Sequence, residues 1–168
     1  RTFQVVQPFP EMTVFENVAA GALFGGGGDS IAEASERTHE ELAFVGLDTL
    51  SDTPAASLTL PNRKRLELAK SLAMRPKVLL LDEVNAGLNA SEIDGALALI
   101  RRIADRGITI IEHLMKVLLT VSQRVLVLHH GELLAEGAPE EIVNDDQVIE
   151  AYLGAKFVAR FKAGAHDA

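Results

Sequence analysis

The 168-residue sequence contains no cysteine, which removes disulfide frameworks, thiolate metal sites and cysteine nucleophiles at once. A reducing compartment fits that composition. No uninterrupted apolar run reaches the roughly 18 residues of a membrane span, and the N-terminal residues lack the charged-then-apolar layout of a secretory signal. The chain is therefore expected in the cytoplasm, free or docked peripherally on the inner face of the cell membrane. Surplus positive charge is missing too: 16 Lys and Arg stand against 24 Asp and Glu, for a net charge of −8 and a pI near 5.1. Phosphate-backbone binding rests on an excess of cations, so no nucleic-acid partner is expected. His39, His129, His130 and His166 have no spacing that suggests a metal site. The phosphate-loop pattern G-x-x-x-x-G-K-[ST] does not occur either. The glycines Gly25 to Gly28 do not replace it, because no strand leads into them and no Lys-Ser or Lys-Thr follows.

What is present is a chain that is 48% hydrophobic, long enough to bury its own core. Met12 to about Gly21 has helical spacing, with Val14, Val18 and Ala19 on one side, and the glycine run is expected to end it as a loop. Ser30 to Phe44 is helical again and stops at Gly46. Leu66, Ala69, Leu72 and Ala73 repeat at helical spacing, Pro61 suits a first helical turn, and Arg75-Pro76 ends the run. Val78 to Leu81 is continuously apolar, as in a strand buried on both faces of a parallel sheet. Asn89 followed by Glu92 reads as a capping box opening a helix with Ile93, Leu97, Ile100 and Ile103 in line. Ile108 to Ile111 is a second short strand, followed by a helical segment. Val125 to Leu128 and Leu133 to Ala135 then read as two strands joined at His130-Gly131, and a last helix runs from about Asp145 to Gly154. Strands alternating with helices imply an α/β sheet, and the residues between Thr13 and Arg75 form a helical subdomain beside it.

The chemistry concentrates at strand ends. VLLLDE, Val78 to Glu83, delivers two adjacent carboxylates to the edge where open α/β sheets bind ligands. Asp82 is placed to hold Mg²⁺ and Glu83 to polarise a water, the division of labour that phosphoryl transfer requires. The next strand ends in Glu112-His113. In a parallel sheet its carboxyl end lies beside the first, so His113 is a candidate to bond a terminal phosphate oxygen.

The run LTLPNRKRLELAKSLAMRPKVLLLDEVNAGLN, Leu58 to Asn89, resembles the signature helix, Walker B strand and D-loop of ABC ATPases. RTFQ resembles the Q-loop and IIEH the switch-histidine strand, and the motifs stand in the family's order. The resemblance implies a partial RecA-like ABC ATPase core sheet with a helical signature-bearing subdomain. Its divisions are a Q-loop region over 1–12, the helical subdomain over 13–76, the core over 77–154 and a tail over 155–168. It implies ATP and Mg²⁺ as ligands, with Gln4 joining Asp82 at the metal and Glu83, His113 and Gln4 as catalytic residues. Leu58, Thr59, Leu60, Pro61 and Asn62, with Asn89 of the D-loop, would act on nucleotide held by a second ABC ATPase subunit, identical or not. Transmembrane permease subunits are the other implied partners; Phe3, Phe9, Met12 and Phe15 resemble the groove that grips them, and ordinary core packing accounts for the same residues equally well. FPEMTVFENV, DEVNAGLNASE and EGAPEEIVNDDQVIEAYLG resemble, more narrowly, the ATPases of branched-chain amino-acid importers.

Three departures from the family pattern stand out. The signature LSGGQ is here Leu58-Thr59-Leu60-Pro61-Asn62, so Thr59 keeps a hydroxyl while Pro61 offers no N–H to a phosphate. Val84 replaces the usual Pro after the acid pair. The strand before His113 is about two residues short, which preserves its facing but would draw His113 back by ~7 Å. The opening at Arg1 reads as the middle of a longer chain, with a phosphate loop expected upstream. Two other readings share these motifs. One is a non-transport ABC-type ATPase serving DNA repair or translation, although the heptads and charge runs of such relatives are lacking. The other is an inactive fragment or interaction module, favoured by the missing phosphate loop and the altered signature. In that case Arg63, Lys64 and Arg65 would be solvated residues of a plain capped helix.

Overall fold

The computed structural model describes residues 8–25, 30–82, 85–103, 108–111 and 120–153. The chain divides into two compact units, residues 1–113 and 114–168.

The first unit begins with three α-helices, α1 (Val14–Gly25), α2 (Ile31–Val45) and α3 (Leu60–Ala73), with short 3₁₀ turns at Asp48–Leu50 and Ala55–Ser57 between the last two. Their apolar faces form one core in which Val14, Val18, Leu42, Leu66 and Leu72 are fully buried. α1 runs past the expected stop at Gly21 and takes in Gly25, the first residue of the glycine run. Gly21 allows this because a Cβ there would sit 2.7 Å from the Lys70 carbonyl oxygen, so only glycine lets α1 approach α3 so closely. The start of α1 is closed by Thr13 and Glu16. The Thr13 N–H donates to Glu16 Oε2 (2.7 Å) and the Glu16 N–H to Thr13 Oγ1 (3.1 Å).

α2 lies within a residue of its expected bounds, capped by Ser30 and by Gly46 in the left-handed conformation (φ 73°). Ser30 and Glu33 cap each other's backbone, and these bonds, the Ser30 hydroxyl first, hold the Glu33 carboxyl below its ordinary pKa. One turn further along α2, Arg37 is buried and donates to the Ala73 carbonyl at the end of α3 (3.1 Å). Desolvation lowers its pKa first, with the Arg75 charge adding to the effect.

Beyond α3 the chain forms β1 (Leu79–Asp82), α4 (Ala90–Ile103) and β2 (Ile108–Ile111). β1 and β2 pair in parallel with Leu79 opposite Ile108 and Asp82 opposite Ile111. The crossover between them is α4, which packs Leu97, Leu99, Ile100 and Ile103 inward. Asn89 caps this helix as the spacing indicates, its N–H donating to Glu92 Oε2 (2.8 Å) and its Oδ1 accepting the Glu92 N–H (3.0 Å). One expectation is corrected: β1 is not buried on both faces. Leu79 and Leu81 are buried, but Leu80, which alternation turns to the other face, is 41% exposed, so that face is only partly covered by the described residues.

The second unit is a hairpin, β3 (Val125–His129) with β4 (Glu132–Gly137), followed by α5 (Pro139–Ile142) and α6 (Asp146–Leu153). His130 (φ 50°) and Gly131 (φ 84°) supply the two left-handed positions of a tight turn, and the register shifts at Val127/Leu128. Val125, Ile142 and Val148 form its core, against which Val127, Leu134 and Ala135 pack. The Asp145 carboxylate opens α6 by accepting the Gln147 N–H (2.8 Å) and the Val148 N–H (3.1 Å). Among the described residues no helix is long and apolar enough to cross a membrane.

Candidate functional site

Two elements of the first unit carry the site residues that are described. At the sheet, β1 and β2 run the same way and finish level, Asp82 against Ile111, which defines one carboxyl edge. Asp82 is half-buried there. Gln4, Glu83 and His113 lie outside the described residues, as does Phe3. The level ending of the strands bears on the two-residue shortening read in the sequence only as far as Ile111.

Immediately after β1, Asn85 is buried (1% exposed) and its carbonyl accepts the Leu88 N–H (3.2 Å), closing a turn in which Gly87 has φ 79°. That turn reaches the second element. A Cβ on Gly87 would lie 3.1 Å from Leu60 Cδ2, so the D-loop and the start of α3 touch within one chain. Sequence reasoning missed this contact, and Gly87 was its only local signal.

The stretch Leu58 to Asn62 is a helix start. Leu58 is buried and extended, and Thr59 is the N-cap with φ −66° and ψ 160°, its side chain making no capping bond. Leu60 is 44% exposed and Pro61 occupies the first turn. The first intrahelical bond is Arg63 N–H to the Thr59 carbonyl (2.9 Å). Ahead of it, Leu60 and Asn62 bring N–H groups with no intrahelical acceptor, and Pro61 between them brings none. The plain-helix reading, in which Arg63, Lys64 and Arg65 are mostly solvated, fails at Lys64, while Arg63 and Arg65 are half-buried. Arg63 donates to the Ala56 carbonyl (2.7 Å), and Lys64 is only 8% exposed. Asn89 spends its side-chain oxygen on the Glu92 N–H and the Ser91 hydroxyl (2.8 Å), so its amide oxygen is occupied in holding α4.

A further polar anchor, Asn17, lies fully buried in α1. Its Oδ1 accepts the Phe9 N–H (2.8 Å), and its amide nitrogen donates to the carbonyls of Phe9 (3.1 Å), Met12 (3.3 Å) and Thr13 (2.9 Å). This one side chain ties the segment that follows Gln4 to the helical core. Phe9 is left half exposed beneath the Lys70 ammonium, 5.7 Å from the ring centre, and Phe15 packs on His39 with ring centres 4.9 Å apart.

The sequence model of the ABC transporter family matches residues 1–86, about half the chain. A high-affinity branched-chain amino acid transport ATP-binding protein of Salmonella typhimurium is 38% identical over 92% of this chain and 67% of its own length. The chain belongs to the ABC transporter family. Its fold agrees: a solved ATP-binding cassette of an ABC transporter in its ADP conformation superposes with a TM-score of 0.77 at 28% identity, over 92% of this chain and 67% of that one. The α/β core with its helical subdomain is thus the ABC ATPase architecture. Residues 132–158 match the model of branched-chain amino acid ATP-binding cassette transporters. A lipopolysaccharide export system ATP-binding protein of Acidithiobacillus ferridurans is also 38% identical, over 76% of this chain and 54% of its own length. The chain is an ATP-binding subunit of a transporter.

The residues present suit the Mg²⁺ that this family implies. Mg²⁺ is held by one or two carboxylates and takes its other ligands from water and phosphate oxygens. Asp82 at the strand end offers one such carboxylate.

Proposed function

We propose that the chain binds and hydrolyses ATP as a subunit of an ABC importer whose cargo is a branched-chain amino acid. The observation that supports this best is the parallel pairing of β1 and β2 with Asp82 level with Ile111, because chains leaving a sheet at the same edge are the ones whose next residues can share a ligand. In this reading Asp82 and Gln4 hold Mg²⁺, which when bound neutralises charge on the phosphate oxygens. Glu83 orients and polarises the attacking water, and His113 hydrogen-bonds the terminal phosphate. Thr59, the neighbouring helix-start donors and the D-loop act on nucleotide held by a second subunit. The close approach of Gly87 to Leu60 places these two elements of one chain side by side. ATP brings the subunits into contact, and its hydrolysis lets them separate and drives the permease. Phe9, with Met12 and Phe15 beside it on the segment pinned by Asn17, is the surface proposed to meet that permease from the cytoplasmic side.

Replacing Glu83 by Gln removes the general base without changing shape. ATP turnover of the permease-bound protein is expected to fall by about 10²-fold or more, with an ATP-bound dimer accumulating on a sizing column. Undiminished turnover defeats the assignment. The similarity to the lipopolysaccharide export protein supports a second cargo class on the same machinery. Leucine uptake by cells carrying the Glu83→Gln variant separates the two: uptake falls with turnover if the cargo is a branched-chain amino acid and is untouched if it is not.

A further inference from the structure

α3 and α4 diverge around a cavity of about 230 Å³ that no step above uses. Its floor is apolar, formed by the buried side chains Leu68, Leu99 and Ile100. Its upper wall carries two cations in succession, Lys64 and Arg65, and its rim carries Glu92. Arg65 is the informative residue. Its guanidinium lies between two glycines, with Nη1 3.7 Å from where a Cβ on Gly46 would be and Nη2 3.7 Å from where one on Gly95 would be. Neither α2 nor α4 therefore puts a side chain against it from those positions. Among the described residues the Arg65 guanidinium makes no hydrogen bond or ion pair, although it is half-buried and faces an apolar space. An uncommitted guanidinium beside an apolar floor is a ready acceptor site for an anion with a hydrocarbon tail, and its planar fork matches a carboxylate.

We propose that this cavity is a binding site for a short aliphatic carboxylate, with the carboxylate on Arg65 and the hydrocarbon on Leu68, Leu99 and Ile100. The volume is below the usual range for drug-sized ligands, which limits the occupant to an acid of about five or six carbons. Two sources share that chemistry, an aliphatic amino acid and a plain carboxylic acid, and Glu92 distinguishes them. One of its oxygens takes the Asn89 N–H, and the other is available to an ammonium group. The site lies between the signature helix and the helix led by the D-loop, so an occupant would set their separation. Binding itself stands apart from the ATPase reading, while an effect on turnover rests on it.

Titration of the ¹⁵N-labelled protein with L-leucine, 4-methylpentanoate and isopentylamine tests the site. The first two, or one of them, are expected to shift amides of residues 60–68 and 91–100 saturably, with a Kd on the order of 1 mM or tighter. Leucine binding much more tightly than 4-methylpentanoate identifies an amino-acid site using Glu92, and equal binding identifies a carboxylate site. Arg65→Met is expected to abolish the shifts, and Gly95→Leu, which fills the cavity without altering charge, to do the same. Two variants guard against a simple folding defect in either. Isopentylamine binding as tightly as leucine, no saturable shift with either acid, or binding unchanged in both variants overturns the proposal.

Discussion

The helices α2 and α3 begin with the same backbone geometry, φ −66° and ψ 160° at Ser30 and at Thr59, and with a hydroxyl at that position, yet they use it in opposite ways. Ser30 accepts the N–H of Glu33 three residues on (3.3 Å), and Glu33 returns the bond to the Ser30 N–H (2.8 Å). The Thr59 hydroxyl makes no capping bond, the residue three positions on is Asn62 rather than a carboxylate, and Pro61 between them has no N–H. α1 and α4 side with α2, closed by Thr13 with Glu16 and by Asn89 with Glu92. A reciprocal cap commits its hydroxyl and two backbone donors to the helix itself. The open start of α3 keeps a hydroxyl and backbone donors in hand, as an anion-binding helix end does. The difference separates helix starts that hold the fold from the one proposed to act on nucleotide.

The largest expected effect comes from filling the open start. Thr59→Arg is expected to reduce ATP turnover on the order of 10²-fold, the range for removing donors aimed at developing phosphate charge. Its thermal midpoint should stay near that of the parent, since no capping bond is lost. A large drop in midpoint with turnover per folded molecule intact would place Thr59 with Ser30 instead. Pro61→Gly runs the other way by restoring an N–H. A hydrogen bond to a charged acceptor contributes about 1.5 kcal/mol, so ATP affinity in the assembled dimer should rise by up to roughly tenfold. Unchanged affinity would mean that this position does not face the phosphates.

The smallest effect belongs to the closed start. Ser30→Ala is expected to cost about 1 kcal/mol of stability in denaturant melts and leave turnover per folded molecule unchanged. It should also flatten the acid limb of the stability profile. Because Glu33 has a lowered pKa in the folded state, its contribution is complete above its unfolded value, roughly 4.3, and is lost as pH falls through the lower folded value. Identical acid limbs in parent and variant would remove the capping box from the account.

What could be read from the sequence follows from what is local. α2 is bounded by Ser30 and Gly46, α4 opens at Asn89 with Glu92, and the strand pair around His130-Gly131 is encoded in turn chemistry, so each is legible residue by residue. The acid pair at 82 and 83 announces itself at the end of an apolar run. Other features depend on a partner far along the chain. The extension of α1 to Gly25 requires the close approach of Gly21 to Lys70, and the meeting of the D-loop with the signature requires Gly87 against Leu60. Asn17 looks like an ordinary helix residue until Phe9 and Met12 fold back on it. Periodicity says which face of a strand or helix is apolar and is silent about what covers it, which is why Leu80 was expected to be buried and is not.

The central claim is that one subunit's Glu83 and the other's Thr59 serve the same ATP. Mixing separately purified Glu83→Gln and Thr59→Arg proteins, each inactive alone, tests it directly. A mixed pair has one site with both residues intact, so turnover should return on mixing and scale with the fraction of mixed dimers. A mixture that forms mixed dimers and stays as inactive as its components would contradict the account.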